Sequence, residues 1–199
     1  MEKYEIIYAD PPWRYDSATP NRRIENHYQT MDIEEIKKMN VPYSDDCILY
    51  LWATAPLIVE ALEVIKAWGF EYKTQMIWDK KRYGMGYWFR GQHEILMVAT
   101  KGDVSPPPQS MRVRSVYREE RGKHSKKPDA IRRLIDEWYP DKTKLELFAR
   151  DTFEGWEVQG NEASTNKQTY LDKITINKQS KRTSIDTKQL RIDTGSSKP

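Results

Sequence analysis

Hydrophobic positions along this chain recur in two spacings that alternate through most of its length. Residues 4–9 are a short apolar run that stops at two prolines, and residues 47–53 form a second, nearly continuous one. Such runs mark strands buried on both faces. Between them, residues 32–39 place Ile33, Ile36 and Met39 on one side, with Asp32 and Glu35 spaced as a capping box. Residues 56–68 carry the stripe Leu57, Ile58, Ala61, Leu62, Ile65 and Trp68, with Pro56 at the start and Gly69 just past the end, the punctuation of a helix. Residues 72–78 alternate as a strand does, and 94–99 make another apolar strand. Residues 128–138 turn Ala130, Ile131, Leu134, Ile135 and Trp138 inward as a helix, and 145–149 form a last strand. Apolar strands alternating with amphipathic helices predict an α/β fold: a mostly parallel central sheet with helices on both faces. Ligands of such sheets sit beyond the carboxyl ends of the strands. Two long stretches without a helical pattern, 14–31 and 101–127, are expected to be functional or disordered loops.

Composition narrows the class. The 199 residues suit one domain with a core and a tail. No apolar run approaches the roughly 18 residues of a membrane span, and the N-terminal residues lack the apolar stretch of a secretory signal. A cytoplasmic protein with no membrane partner is expected. The single cysteine, Cys47, lies in an apolar strand and reads as a buried, inert thiol in a reducing compartment. Three scattered histidines and that cysteine make no metal pattern. The net charge of +3 is uneven, because residues 161–199 carry eight Lys/Arg against four acids. Residues 1–162 are therefore read as the catalytic domain and 163–199 as a basic, polar, flexible tail that either holds a polyanion or is simply solvated.

The most informative local pattern is Asp10-Pro11-Pro12-Trp13, directly after the first strand. Prolines cannot donate to a strand ladder, so the motif ends the strand as a rigid turn. It also suits a specific chemistry. An aromatic amine is a poor nucleophile because its lone pair is delocalised into the ring. Two acceptors aimed at its N–H groups favour the localised lone pair of the transition state. Asp10 offers a carboxylate, the Pro11 carbonyl offers a second acceptor stiffened by Pro12, and Trp13 offers a face against which a flipped base stacks.

These residues resemble the signature of amino-methyltransferases that use S-adenosylmethionine. With Trp in the fourth place, the chain is similar to the relatives of the eukaryotic mRNA adenosine N(6)-methyltransferase catalytic subunit, as a small bacterial or phage-type member. The resemblance runs over residues 4–162 through His27-Tyr28-Gln29-Thr30-Met31, Leu49-Tyr50-Leu51-Trp52, Trp68-Gly69-Phe70 and Ile77-Trp78-Asp79-Lys80. It continues through Gly86-Tyr87-Trp88, Glu94, Ser125-Lys126-Lys127-Pro128-Asp129, Leu145-Glu146-Leu147-Phe148-Ala149-Arg150, Trp156 and Gly160-Asn161-Glu162. It implies a permuted Rossmann-like methyltransferase in which the catalytic strand comes first and the cofactor strand, 145–149, comes late. The implied cofactor set is Asp10, Lys127, Glu146, Leu147, Phe148, Arg150, Asn161 and Glu162. Lys127 would pair with the methionine carboxylate, and Arg150, Asn161 and Glu162 would hold the ribose hydroxyls. No metal is implied. No glycine follows the cofactor strand, and only nine residues precede Asp10, so the cofactor adenine is expected to be held from elsewhere in the chain.

Glu146 stands in an otherwise apolar run, and a buried carboxylate needs partners. Either ligand groups or a salt bridge to Arg150 or Lys144 would supply them. In the substrate loops, Tyr28 and His27 fall beside the target base by resemblance, although Tyr28 also suits ordinary packing of a loop. Arg112, Arg114 and Arg118 belong to a basic run before Lys127 that would track phosphates, and His124 reads there as a phosphate or solvent contact. The expected partner is DNA, since the chain lacks a zinc or other RNA-binding module. RNA is the alternative, and a homo- or heterodimer is compatible. The intact Asp10 argues against a non-catalytic, nucleic-acid-binding relative.

Overall fold

The computed structural model describes residues 2–15, 30–86, 88–122 and 126–160. Its elements are, in chain order, β1 (Tyr4–Ala9), α1 (Ile33–Lys37), β2 (Tyr43–Ala53), α2 (Ile58–Ala67), β3 (Glu71–Asp79), β4 (His93–Lys101), β5 (Val116–Arg118), α3 (Asp129–Trp138), β6 (Lys144–Leu147) and β7 (Glu157–Gln159). The strands form one seven-stranded sheet in the order β5-β3-β4-β2-β1-β6-β7. β1 pairs in parallel with both β2 and β6, and β7 is parallel to β6. β4 is antiparallel to β2 and to β3, while β5 is parallel to β3. Only β4 therefore runs against the others. The fold is the α/β arrangement expected, with a mostly parallel sheet.

The two faces of the sheet explain the apolar runs. Ile7, Ala9, Leu49, Leu51, Leu145 and Leu147 point into one core with Ile36 of α1 and Ala61, Val64 and Ile65 of α2. Ile6, Tyr8, Ile48, Tyr50 and Trp52 point into the other, beneath Ile131 and Ile135 of α3. β1 is central and buried on both sides, so it cannot show alternation.

Helix ends follow their caps. Asp32 accepts from the Glu34 N–H at 2.9 Å while Glu35 accepts from the Asp32 N–H at 3.2 Å, so the capping box forms. A short 3-10 turn, Ala55–Leu57, carries Pro56 and leads into α2. Gly69, at φ +80°, turns the chain away after α2. The Trp68 indole N–H reaches the Ile36 carbonyl at 2.9 Å and ties α2 to α1. Leu62, read as inward, is instead 38% exposed, because Ala61, Val64 and Ile65 make the buried face. Cys47 is buried, and burial pushes its thiol up to about 12, as an inert thiol requires. Two strands escaped the sequence pattern. β5 lies within the stretch read as loop, and β7 follows Trp156. Each is three residues long at an edge of the sheet, too short and too polar for a period to register. The described part of the tail expectation is nil, since residues 161–199 lie outside the described residues.

Candidate active site

All strands but β4 point the same way, so one edge of the sheet collects the ends of β1, β2, β3, β5, β6 and β7 and the start of β4. Asp10 leaves β1 there, Thr54 leaves β2, Lys80 leaves β3, and Glu94 stands at the beginning of β4. Lys127 arrives just ahead of α3.

These residues meet. The Lys127 ammonium is 9% exposed and lies 2.7 Å from Asp10 Oδ2 and 3.2 Å from Glu94 Oε2. Lys80 meets the other Glu94 oxygen at 3.1 Å. Lys127 also sits 5.6 Å above the Trp52 ring, and Lys80 sits 5.9 Å from the Trp78 ring. The result is a chain of alternating charge, Asp10–Lys127–Glu94–Lys80, resting on two buried indoles. Burial would raise Glu94, but Lys127 and Lys80 outweigh it and hold its carboxyl below the usual range. Burial would lower Lys127, but Asp10 and Glu94 outweigh it and hold the ammonium above its ordinary value. Tyr15 completes the wall: its hydroxyl is 2.5 Å from Thr54 Oγ1, and burial, the largest influence, raises it.

The Asp10-Pro11-Pro12-Trp13 turn is held from within. The Pro11 carbonyl accepts the Trp13 N–H at 2.8 Å, and the Pro12 carbonyl accepts the Met31 N–H at 2.8 Å. A carbonyl has two lone pairs, so Pro11 retains capacity for one further donor. Trp13 is not presented as an open face. It is 8% exposed, packs in the core with Leu57 and Ile36, and gives its indole N–H to the Trp52 carbonyl at 3.0 Å.

Glu146 has found a partner that the sequence did not suggest. Arg132 of α3 grips it with two hydrogen bonds, at 2.7 and 2.6 Å, and reaches Asp129 at 2.8 Å. The bridge expected to Lys144 or Arg150 is replaced by this fork; Lys144 instead lies 3.4 Å from Asp136. Burial pushes Glu146 above the usual carboxylate range, and the Arg132 fork opposes that rise. The guanidinium lies 5.2 Å from the Tyr8 ring and 5.6 Å from Phe153. Arg132 was missed because a polar residue on an amphipathic helix reads as solvent-facing; its buried partner on β6 comes fourteen positions later.

Beside this fork opens a cleft of about 360 Å³ lined by Lys126, Asp129, Arg132, Asp151, Thr152 and Phe153. The chain after β6 shapes it. Leu147 is buried, Phe148 takes φ +63°, and Ala149 N–H bonds to the Gln159 carbonyl at 3.2 Å. A Cβ on Gly160 would collide with the Ala149 backbone, so two strand ends approach closely there. Residues beyond the end of β6 and beyond the end of β7 thus meet, and Lys126 reaches the same stretch at Asp151, 3.7 Å away. Among the described residues no group of three or more His, Cys, Asp or Glu is placed to hold a metal.

The remaining expected residues are more scattered. Arg112 bonds the Pro107 carbonyl at 3.0 Å, Arg118 bonds Asp79 at 3.3 Å, and both, with Arg114, are exposed near β5. His27, Tyr28, His124, Asn161 and Glu162 lie outside the described residues.

An α/β sheet with a half-buried carboxylate after its central strand, paired with a buried lysine, is compatible with the plan of a methyltransferase. The chain belongs to the MT-A70 family, whose model matches residues 4–162. It is 36% identical over 187 residues to the Type II methyltransferase M.MunI of Mycoplasma sp, covering 83% of this chain and 80% of that one. It is 30% identical over 173 residues to the human N(6)-adenosine-methyltransferase catalytic subunit METTL3, covering 81% of this chain but 28% of that one. A Medicago truncatula protein, a putative N(6)-adenosine-methyltransferase MT-A70-like, is 31% identical over 82% of this chain and 27% of its own.

Proposed function

We propose that this methyltransferase moves a methyl group from S-adenosylmethionine to the exocyclic amine of adenine in DNA. The observation that carries the reading is the position of Asp10, at the end of the central strand, bonded to the buried Lys127, whose chain neighbour Lys126 lines a cleft of about 360 Å³. The residues present fit the cofactor. Its carboxylate calls for a buried cation, which Lys127 supplies, and its positive end calls for carboxylates, which Asp10 and Glu94 supply. When bound, the cofactor would supply an electrophilic methyl on a sulfonium, whose sulfur would keep the electrons of the broken sulfur–methyl bond and leave as S-adenosylhomocysteine.

The protein's own groups do the rest. Asp10 and the Pro11 carbonyl accept the two N–H groups of the amine and turn its lone pair toward the methyl group. The amine proton, acidified once the new N–C bond forms, leaves toward the Asp10 side. Lys127 holds Asp10 in place through their ion pair, and Glu94 holds Lys127. On cofactor binding Lys127 would also hold the methionine carboxylate; Leu147, Phe148 and Arg150 would line the cofactor's path, with Asn161 and Glu162 at the ribose. Glu146 contributes through Arg132, because both of its oxygens are already bonded. His27 and Tyr28 would stand beside the base, and Arg112, Arg114 and Arg118 would meet phosphates.

DNA is favoured because the Type II methyltransferase matches along most of its own length, whereas the N(6)-adenosine-methyltransferases match over less than a third of theirs. The test is incubation with labelled S-adenosylmethionine and DNA or RNA oligomers, then digestion to nucleosides. Label in N(6)-methyl-deoxyadenosine is expected. Label in RNA alone would transfer the reading to RNA, and label on another base or none at all would overturn it.

A further inference from the structure

Residues 80–92, joining β3 to β4, carry a concentration of exposed apolar surface that the chemistry above does not use. Trp88 is 93% exposed, Phe89 88%, Met85 80% and Tyr83 68%. Single exposed apolar side chains are ordinary, but four on one short loop mark an interaction surface. Six of the seven tryptophans are buried or half-buried, so Trp88 is the exception.

The loop is organised. Lys80 N–H bonds the Gln92 carbonyl at 2.9 Å and Gly84 N–H bonds the Gly91 carbonyl at 2.8 Å, so its arms are zipped. Asp79 Oδ1 accepts from Lys81 N–H at 2.9 Å and from Gln92 Nε2 at 2.8 Å, fixing its root. A Cβ on Gly86 would collide with the Phe89 carbonyl, so the tip turns tightly. The Arg90 guanidinium covers the Tyr83 ring at 5.5 Å, leaving Trp88 and Phe89 outermost. The root adjoins the active site, because Lys80 bonds Glu94, which bonds Lys127.

Charge identifies the occupant. Residues 80–92 include Lys80, Lys81, Arg82 and Arg90 and no Asp or Glu. The neighbouring strand β5 adds Arg118, with Arg112 and Arg114 before it; Arg82 pairs with Glu120 and Arg118 with Asp79, which leaves Lys81, Arg90, Arg112 and Arg114 to face a polyanion. An apolar tip on a cationic stem suits a partner with stacked rings inside and phosphates outside.

We propose that this loop is a wedge for duplex DNA. The proposal rests on the reading of the active site as a DNA adenine methyltransferase. Trp88, flanked by Phe89, enters the base stack beside the adenine that leaves it, while Lys81 and Arg90 meet the flanking phosphates. Extruding a base breaks two stacking contacts, and an aromatic face in the gap restores part of them. Each arm of about six residues reaches up to roughly 20 Å when extended, and a groove is only about 8 Å deep.

The test uses the full chain with mixed-sequence duplex DNA fragments and the same fragments made single-stranded. Duplex DNA is expected to quench tryptophan fluorescence in the parent, and Trp88→Ala is expected to abolish that quench. The ratio of duplex to single-strand methyl-transfer rate should fall at least roughly fivefold in Trp88→Ala, the scale of one lost base–aromatic stack, and recover in Trp88→Phe. An unchanged ratio, or a quench that survives the substitution, overturns the wedge. A parent that sediments as a dimer and a Trp88→Ala variant that sediments as a monomer would assign the surface to a second copy instead. If the parent methylates no DNA, the proposed function falls, and the fluorescence arm alone decides the wedge.

Discussion

At the scale of single residues, the proposed active site is a row of alternating charges, Asp10, Lys127, Glu94 and Lys80, each paired with the next. Asp10→Asn keeps the shape but replaces an acceptor with a group that can present a donor to the amine. Methyl transfer should fall at least roughly a hundredfold, the usual contribution of one preorganised electrostatic group, with circular dichroism unchanged. Near-normal turnover would remove Asp10 from the chemistry. Lys127→Ala leaves Asp10 and Glu94 facing each other in a site where neither is well solvated. Affinity for S-adenosylhomocysteine should fall roughly tenfold or more, measured by calorimetry, whereas DNA affinity by gel shift should change less. Glu94 also sets a pH dependence. Its folded value lies below the ordinary 4.5. Its contribution to stability is therefore present above the unfolded value and is lost as pH falls through the folded one. Urea midpoints measured from pH 7 downward should drop more steeply below about pH 4.5 in the parent than in Glu94→Gln. Parallel curves would show that Glu94 is not the group responsible.

At the scale of elements, Arg132 and Glu146 bind α3 to β6 across the sheet's second core. Removing one partner of a buried pair strands the other, at a cost of about 3–5 kcal/mol, whereas replacing both by apolar groups is often close to neutral. Arg132→Met should therefore destabilise strongly, and Arg132→Met combined with Glu146→Leu should recover much of the loss in chemical denaturation. Because Glu146 already sits above the usual carboxylate range, the single variant's deficit should shrink toward acid pH, where protonation removes the stranded charge. A deficit constant between pH 7 and 4 would count against that account. The same fork explains how a carboxylate could lie in an apolar strand: its solvent is a guanidinium from a helix, itself flanked by the Tyr8 and Phe153 rings.

At the scale of the whole molecule, the groups proposed for chemistry and those proposed for anchoring separate in space. The charged row lies at the sheet edge, whereas Arg112, Arg114 and Arg118 are exposed around the edge strand β5. Neutralising those three should weaken DNA binding similarly for all sequences and flatten its salt dependence by nearly one unit of log–log slope per lost phosphate contact. Deleting residues 166–199 should leave the rate at saturating DNA nearly unchanged, since the family match ends at residue 162. Initial rates against DNA concentration at several salt concentrations check both. Loss of turnover at saturation, or unfolding, would place the tail within the fold.

Much of this was legible along the chain because it is written in local terms. Apolar runs, helical stripes, the Asp32–Glu35 box and the prolines after β1 each encode their structure within a few residues. The turn proposed as catalytic could be read for the same reason: Asp10, Pro11 and Pro12 lie side by side in the chain. Pairings between distant segments could not be read. Glu94 joins Lys127, Arg132 takes Glu146, and Trp13 turns inward to give its N–H to Trp52. Charge and aromatic character are visible in a sequence, but whether a group meets water, an opposite charge or a ring depends on which strands lie side by side. Folding the chain brings Asp10 and Lys127, 117 positions apart, to 2.7 Å, and only at that distance do a carboxylate and an ammonium become one site.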